Sequence, residues 1–154
     1  MDLRARLQAA TKEAMKAKEA HRLSTLRLIA AAVKDREIAA RGQDGEGGDL
    51  READLIAILS RMVKQRQESA KAYEEGGRLE LAGKEQQEIE IIREFLPRQM
   101  DEAETSAAIG AAISDLGASS IRDMGRVMTE LRARHAGQMD FGAAGPKVKE
   151  RLLH

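Results

Sequence analysis

Basic residues recur in pairs one helical turn apart near the end of the chain, Arg122 with Arg126 and Lys147 with Arg151. Side chains four residues apart share a helix face, so each pair can straddle phosphate groups. Lys64 and Lys71 lie seven apart, as do Arg27, Lys34 and Arg41, so each set forms a strip along its helix. The surrounding charge is segregated. Residues 101–120 hold four acids and no base, whereas residues 121–154 hold seven bases against four acids. Capping residues at Ser120 and Asp140 would add helix N-termini, whose free N–H groups also suit anions. Phe141 is the one aromatic residue of this C-terminal stretch, which leaves little for base stacking. The chemistry expected is recognition of structured RNA by shape and phosphate contacts.

Other chemistries find little support. There is no cysteine, which removes disulfides, thiolate nucleophiles and Cys-ligated zinc or iron–sulfur sites. His21, His135 and His154 are far apart, and none accompanies a Gly-x-Ser-x-Gly turn. A helical carboxylate–histidine metal pair needs a spacing of three or four, but Glu130 and His135 are five apart. The run from Gly77 to Lys84 places five residues between its glycines, and Glu85 follows the lysine. A phosphate-binding loop needs four, then Ser or Thr. No catalytic residue, metal site or cofactor is expected, and the many glutamates read as solvated helix faces.

The elements that must position these residues are helices. The 154 residues carry 26 bases and 26 acids, are 42% hydrophobic and 2% aromatic, and include two prolines. This suits an all-α chain and excludes a disordered one. A first helix from about residue 2 to about residue 18 carries Leu3, Leu7, Ala10 and Ala14. A second, from near His21 to about Arg41, presents Leu26, Ile29, Ala30 and Val33. The run GQDGEGG (residues 42–48) reads as mobile. Asp49 with Glu52 predicts a capping box for a third helix, which carries Leu55, Leu59, Met62 and Tyr73 and ends at Gly76 and Gly77. Lys64 and Lys71 fall opposite that apolar stripe. Arg66 falls inside it and requires a carboxylate partner or a macromolecular contact. A fourth helix with Leu81, Ile89, Ile92, Phe95 and Leu96 stops before Pro97.

Three shorter helices follow. Asp101 with Glu104 and Ser120 with Asp123 cap the first two, and Gly117 and Gly137 end them. The last starts at Asp140 or, because of Pro146, near Gly145. The expected organisation is a helical N-terminal domain of residues 1–97 and a small three-helix domain of residues 98–154. Residues 2–41 carry ten bases against five acids, and residues 74–94 seven acids against three bases, so contact between these helices would pair much of the charge internally.

Leu26–Ile29, Ala31–Lys34, the run Leu59–Ser69, Tyr73, Gly77-Arg78, the stretch from Glu88 to Pro97 and Asp123–Met128 resemble, in order, the YqeY proteins of the GatB/YqeY family. The C-terminal positions Gly125, Val127, Met128, Gly137, Asp140, Val148 and Leu152 are similar to the tail of the B subunit of the tRNA-dependent amidotransferase. The resemblance implies an all-α N-terminal domain followed by a three-helix tail that helps hold tRNA. It also implies kinship with carbon–nitrogen ligases that use glutamine as nitrogen donor, although this chain matches only the accessory, tRNA-holding portion. Binding of tRNA or structured RNA through Arg122, Arg126, Lys147, Arg151, Lys64 and Lys71 is therefore expected, together with a protein partner in translation. The alternative is a helical protein–protein adaptor with no RNA ligand. The opening MDLRARLQAATKEAMK has no apolar core and carries acids, which predicts no signal or transit peptide. A cytoplasmic location and no membrane contact are expected.

Overall fold

A computed structural model describes residues 1–42 and 47–154. Among these residues the secondary structure is helical, with no strand beyond an isolated antiparallel bridge between Arg41 and Gly47. Among the described residues, no helix is long and apolar enough to cross a membrane. Residues 43–46, on which much of the GQDGEGG expectation falls, lie outside the described residues. Close packing divides the chain into two units, Met1–Leu96 and Pro97–His154.

The described residues of the first unit form four helices, α1 (Leu3–Lys16), α2 (Ala20–Ala40), α3 (Glu52–Glu75) and α4 (Leu79–Arg93). The Asp2 carboxylate starts α1 by accepting the Ala5 N–H at 2.8 Å. Lys18 then takes a positive φ of 55° and turns the chain into α2. A short turn with Gly77 at φ 74° folds α4 back along α3. Leu3, Ala14, Leu26, Ile29, Leu59, Ile89 and Ile92 are almost fully buried where the four helices meet. Two expected core positions are exposed. Ala30 lies outside the buried stripe of α2, and Leu81 yields its place to Ala82, one position around α4.

The capping box expected at Asp49 and Glu52 does not form. The helix starts at Glu52, and the Asp54 carboxylate accepts the Arg51 N–H at 2.9 Å. Glu52 is engaged elsewhere, since its Oε1 accepts the Leu3 N–H of α1 at 2.9 Å. A local pattern thus gave way to a free donor 49 residues away. Gly48 then packs against the end of α2. A Cβ there would lie 2.7 Å from the Glu37 carbonyl oxygen, and the φ of 92° also favours glycine.

The second unit has α5 (Glu102–Leu116), α6 (Met124–Arg134) and α7 (Phe141–Leu153), with a single 3-10 turn at Ile121–Asp123 leading into α6. The Asp101–Glu104 box forms reciprocally, at 2.7 Å and 3.3 Å. Gly117 ends α5 at φ 62°. Asp140 caps α7 by accepting from the N–H groups of Gly142 and Ala143, so the earlier start applies and Pro146 lies inside the helix. The N–H that Pro146 lacks would have met the carbonyl of Gly142. Ile109, Ala112, Val127, Leu131, Ala144 and Val148 form the buried centre. The segment leading into α5 is tied to the α6–α7 connection, where the Met100 N–H bonds the Gln138 carbonyl at 2.9 Å and Gln99 Nε2 donates to the Gly137 carbonyl.

Candidate nucleic-acid interface

Several arginines of the first unit are held by their own fold. Arg66 donates through Nε to Glu88 Oε2 at 2.8 Å, between side chains only 14% and 13% exposed, and through Nη1 to the Met62 carbonyl. Glu88 is the carboxylate that its place in the apolar stripe demanded. Arg4 pairs with Glu37 at 2.8 Å and Arg22 with Glu94 at 2.6 Å. That contact raises the Arg22 pKa above its ordinary value, chiefly through the hydrogen bond that Arg22 donates to Glu94. Arg6 lies 5.6 Å from the centre of the Phe95 ring and donates to the Glu94 carbonyl. The basic excess of α1 and α2 is thus partly absorbed by acids and a ring within the unit. Lys64 and Lys71 stand exposed on α3.

The second unit arranges its bases at the surface. Arg122, in the 3-10 turn, is exposed and makes no ion pair among the described residues. Arg126, one turn later, is 57% exposed and meets Asp123 Oδ1 at 3.0 Å. Asp123 also accepts from the N–H groups of Ser119 and Ser120. These contacts hold its carboxyl below the usual range, the Ser119 N–H contributing most, then Arg126 and then the Ser120 N–H. Asp123 therefore spends much of its capacity on the backbone, and Arg126 keeps donors facing water.

Lys147 and Arg151 are brought together on α7. With Ser106 and Ile109 of α5, and with Glu150 and His154, they line a concavity of about 340 Å³. Arg151 Nη2 donates to the Ser106 hydroxyl at 2.6 Å. Lys147 Nζ lies 4.0 Å from Glu102 Oε1, at the outer limit of an ion pair. The sequence reading missed Ser106 and Gly110 of α5, which flank the Arg151 guanidinium. The available signal was a glycine midway along an alanine-rich helix.

Other arginines of this unit are engaged. Arg134 reaches both Glu130 and Asp115, Arg132 lies 5.9 Å from the centre of the Phe141 ring, and Arg98 forms a two-pronged contact with Glu104. Arg98 first, then the Asp101 N–H, lower the Glu104 carboxyl to about 2. Among the described residues no three His, Asp or Glu side chains converge as metal ligands.

A family model described as "Yqey-like protein" matches residues 4–152. The chain belongs to this family. Curated relatives carry the name "Altered inheritance of mitochondria protein 41, mitochondrial". The protein of Lachancea thermotolerans is 32% identical over 122 residues, covering 78% of this chain and 63% of the relative. That of Vanderwaltozyma polyspora is 34% identical over 85 residues, covering 55% and 43%. That of Clavispora lusitaniae is 36% identical over 99 residues, covering 62% and 54%. In each case the match spans less than two thirds of the relative's own length.

These names overturn the expected cytoplasmic location, because the relatives are mitochondrial by name. The physical reason is that a cysteine-free helical body carries no mark of its compartment. The sequence features read as cytoplasmic suit a mitochondrial interior equally well.

Proposed function

We propose that this YqeY-like chain binds tRNA or tRNA-like RNA through phosphate contacts made chiefly by its second unit. The observation that carries the reading is the grouping of Lys147 and Arg151 around one concavity with a neutral hydroxyl, alongside the outward-facing Arg122 and Arg126. Phosphate contacts position an RNA without reading its bases, which suits a surface with few aromatic side chains. On the first unit, the exposed Lys64 and Lys71 offer further cations to the RNA.

The resemblance to the amidotransferase tail supports an accessory role beside glutamine-dependent carbon–nitrogen ligases, with the bond-making step performed by a partner in translation. The chain given glutamine, ATP and a mischarged tRNA is then expected to release no ammonia above background. Turnover abolished by a single substitution in this chain would reject that role.

Filter binding of the full chain to tRNA at several salt concentrations tests the main reading. Four phosphate contacts predict that log affinity falls against log salt with a slope of about −3 to −4. Arg126→Glu should weaken binding to all tRNAs about equally and flatten the slope by about one. Absence of salt-dependent retention near physiological ionic strength would reject RNA binding.

A second reading, a protein–protein adaptor, is favoured by the 68% exposed Leu79 and the 39% exposed Leu81 beside the α3–α4 turn. Partners retained after nuclease treatment and lost on Leu79→Ser would favour it over RNA binding.

A further inference from the structure

Gly110 lies in the middle of α5, with alanine at positions 107, 108, 111 and 112. Glycine is a poorer helix former than alanine, so its place here calls for a cause. The backbone does not supply one, because φ at Gly110 is not left-handed, and beyond its own helix backbone and chain neighbours a Cβ there would meet only atoms of Arg151 within 4 Å. It would lie 2.6 Å from Nη1 and 3.8 Å from Cζ. Ser106, one turn earlier on the same face, accepts from the other terminal nitrogen, Nη2, at 2.6 Å. The guanidinium is therefore laid over the bare backbone of Gly110 and pinned at one corner by a hydroxyl.

We infer that Ser106 and Gly110 form a seat that pre-orients Arg151, with Lys147, to take one phosphate group in the concavity between α5 and α7. This rests on the proposed binding of RNA and names the contact that anchors it.

Three features fit a phosphate. Arg151 has no carboxylate partner among the described residues, so most of its donors remain available after Ser106 takes one. A planar fork held in place matches two phosphate oxygens and loses less freedom on binding than a mobile side chain. Lys147 adds a second positive charge one turn earlier on α7, on the same concavity. Glu150 lines that concavity too and opposes an anion, so it limits the affinity.

The decisive variant is Gly110→Ala, which alters no charge and improves helix propensity. The added methyl meets only the end of a flexible side chain, so the fold should hold and the melting temperature should stay or rise. Affinity of the full chain for tRNA is expected to fall about fivefold, because Arg151 loses its pre-orientation but keeps its charge and donors. In an Arg151→Ala background, Gly110→Ala should have no further effect. Glu150→Gln should tighten binding.

Inorganic phosphate serves as an independent probe, with the Gly110 amide and the Arg151 Nε–H followed by NMR against a chloride control. Both signals are expected to shift with phosphate, and Gly110→Ala should weaken that response. A response to phosphate without tRNA binding would reject the RNA reading and leave the seat standing. Binding of tRNA unchanged by Gly110→Ala, or weakened equally in the Arg151→Ala background, would overturn the seat. So would the absence of any response to phosphate.

Discussion

Arg66 of the first unit and Arg151 of the second both lie against a neighbouring helix, yet they face opposite partners. Arg66 is closed by the Glu88 carboxylate at 2.8 Å and by the Met62 carbonyl, in a setting nearly shut to water. Arg151 is exposed and rests on a serine hydroxyl and a glycine backbone, neither of which neutralises it. The first guanidinium is satisfied and holds α3 to α4. The second is oriented and left with its charge. Net charge along the sequence does not separate these cases, since the most basic stretch, residues 2–41, belongs to the unit that pairs several of its arginines internally. What a cation can bind depends on the partner supplied by the adjoining helix.

The largest effect should come from the buried centres, and it tests whether the two units respond separately. Leu131 is fully buried among α5, α6 and α7. Leu131→Ala should cost about 3 kcal/mol from lost transfer energy and the cavity left behind. Calorimetry and amide exchange are expected to show the second unit melting earlier while protection in α3 and α4 stays unchanged. Joint loss of protection in both units would break the comparison at its root.

Next in size is the enclosed ion pair. Glu88→Ala leaves the Arg66 guanidinium largely buried without its charge partner, and a loss of about 2 kcal/mol is expected from denaturant unfolding. The exposed Asp123–Arg126 contact should matter less, because water and salt screen it. An equal loss for Asp123→Ala would erase the contrast between a closed and an open pair.

Acid should act on the second unit through Glu104 and Asp123. Both carboxyls are more acidic in the fold than in the unfolded chain, so their contribution is complete above the unfolded values of about 4.5 and 3.8. It is lost as pH falls through the lower folded values, about 2 for Glu104. Melting temperatures are therefore expected to fall between pH 4.5 and pH 2, and Glu104→Gln should reduce the slope over that window. An unchanged profile in the variant would remove Glu104 as a source of acid sensitivity.

The helices were legible because apolar spacing and caps agreed at most positions. Asp101 with Glu104 and Ser120 with Asp123 need only local backbone, and both form. Asp49 with Glu52 matched the same pattern and failed, because the Leu3 N–H, remote in sequence, claimed Glu52. The demand of Arg66 for a carboxylate was legible from its helix angle, although which glutamate would answer depended on the register of α4 against α3. Lys147 and Arg151 were legible as a pair on one helix. Ser106 and Gly110 were not, because only the packing of α5 against α7 brings them to Arg151. Local physics thus located the charges, and tertiary packing decided which remained available.

The smallest effect concerns Lys64 and Lys71, which test whether the functional contrast between the units is complete. They share the solvent face of α3 and belong to the unit that pairs several of its other bases internally. If the second unit holds the RNA and these lysines make no direct contact with it, they contribute long-range attraction, which the ions of ordinary buffers screen within about 8–10 Å. The double variant Lys64→Gln with Lys71→Gln should then weaken tRNA binding by less than about threefold near physiological salt and flatten the salt slope by less than about one. The loss should grow as salt is lowered, because screening weakens. Flattening by about two, with a loss comparable to that of Arg126→Glu, would place direct phosphate contacts on α3 and make the first unit an equal part of the binding surface.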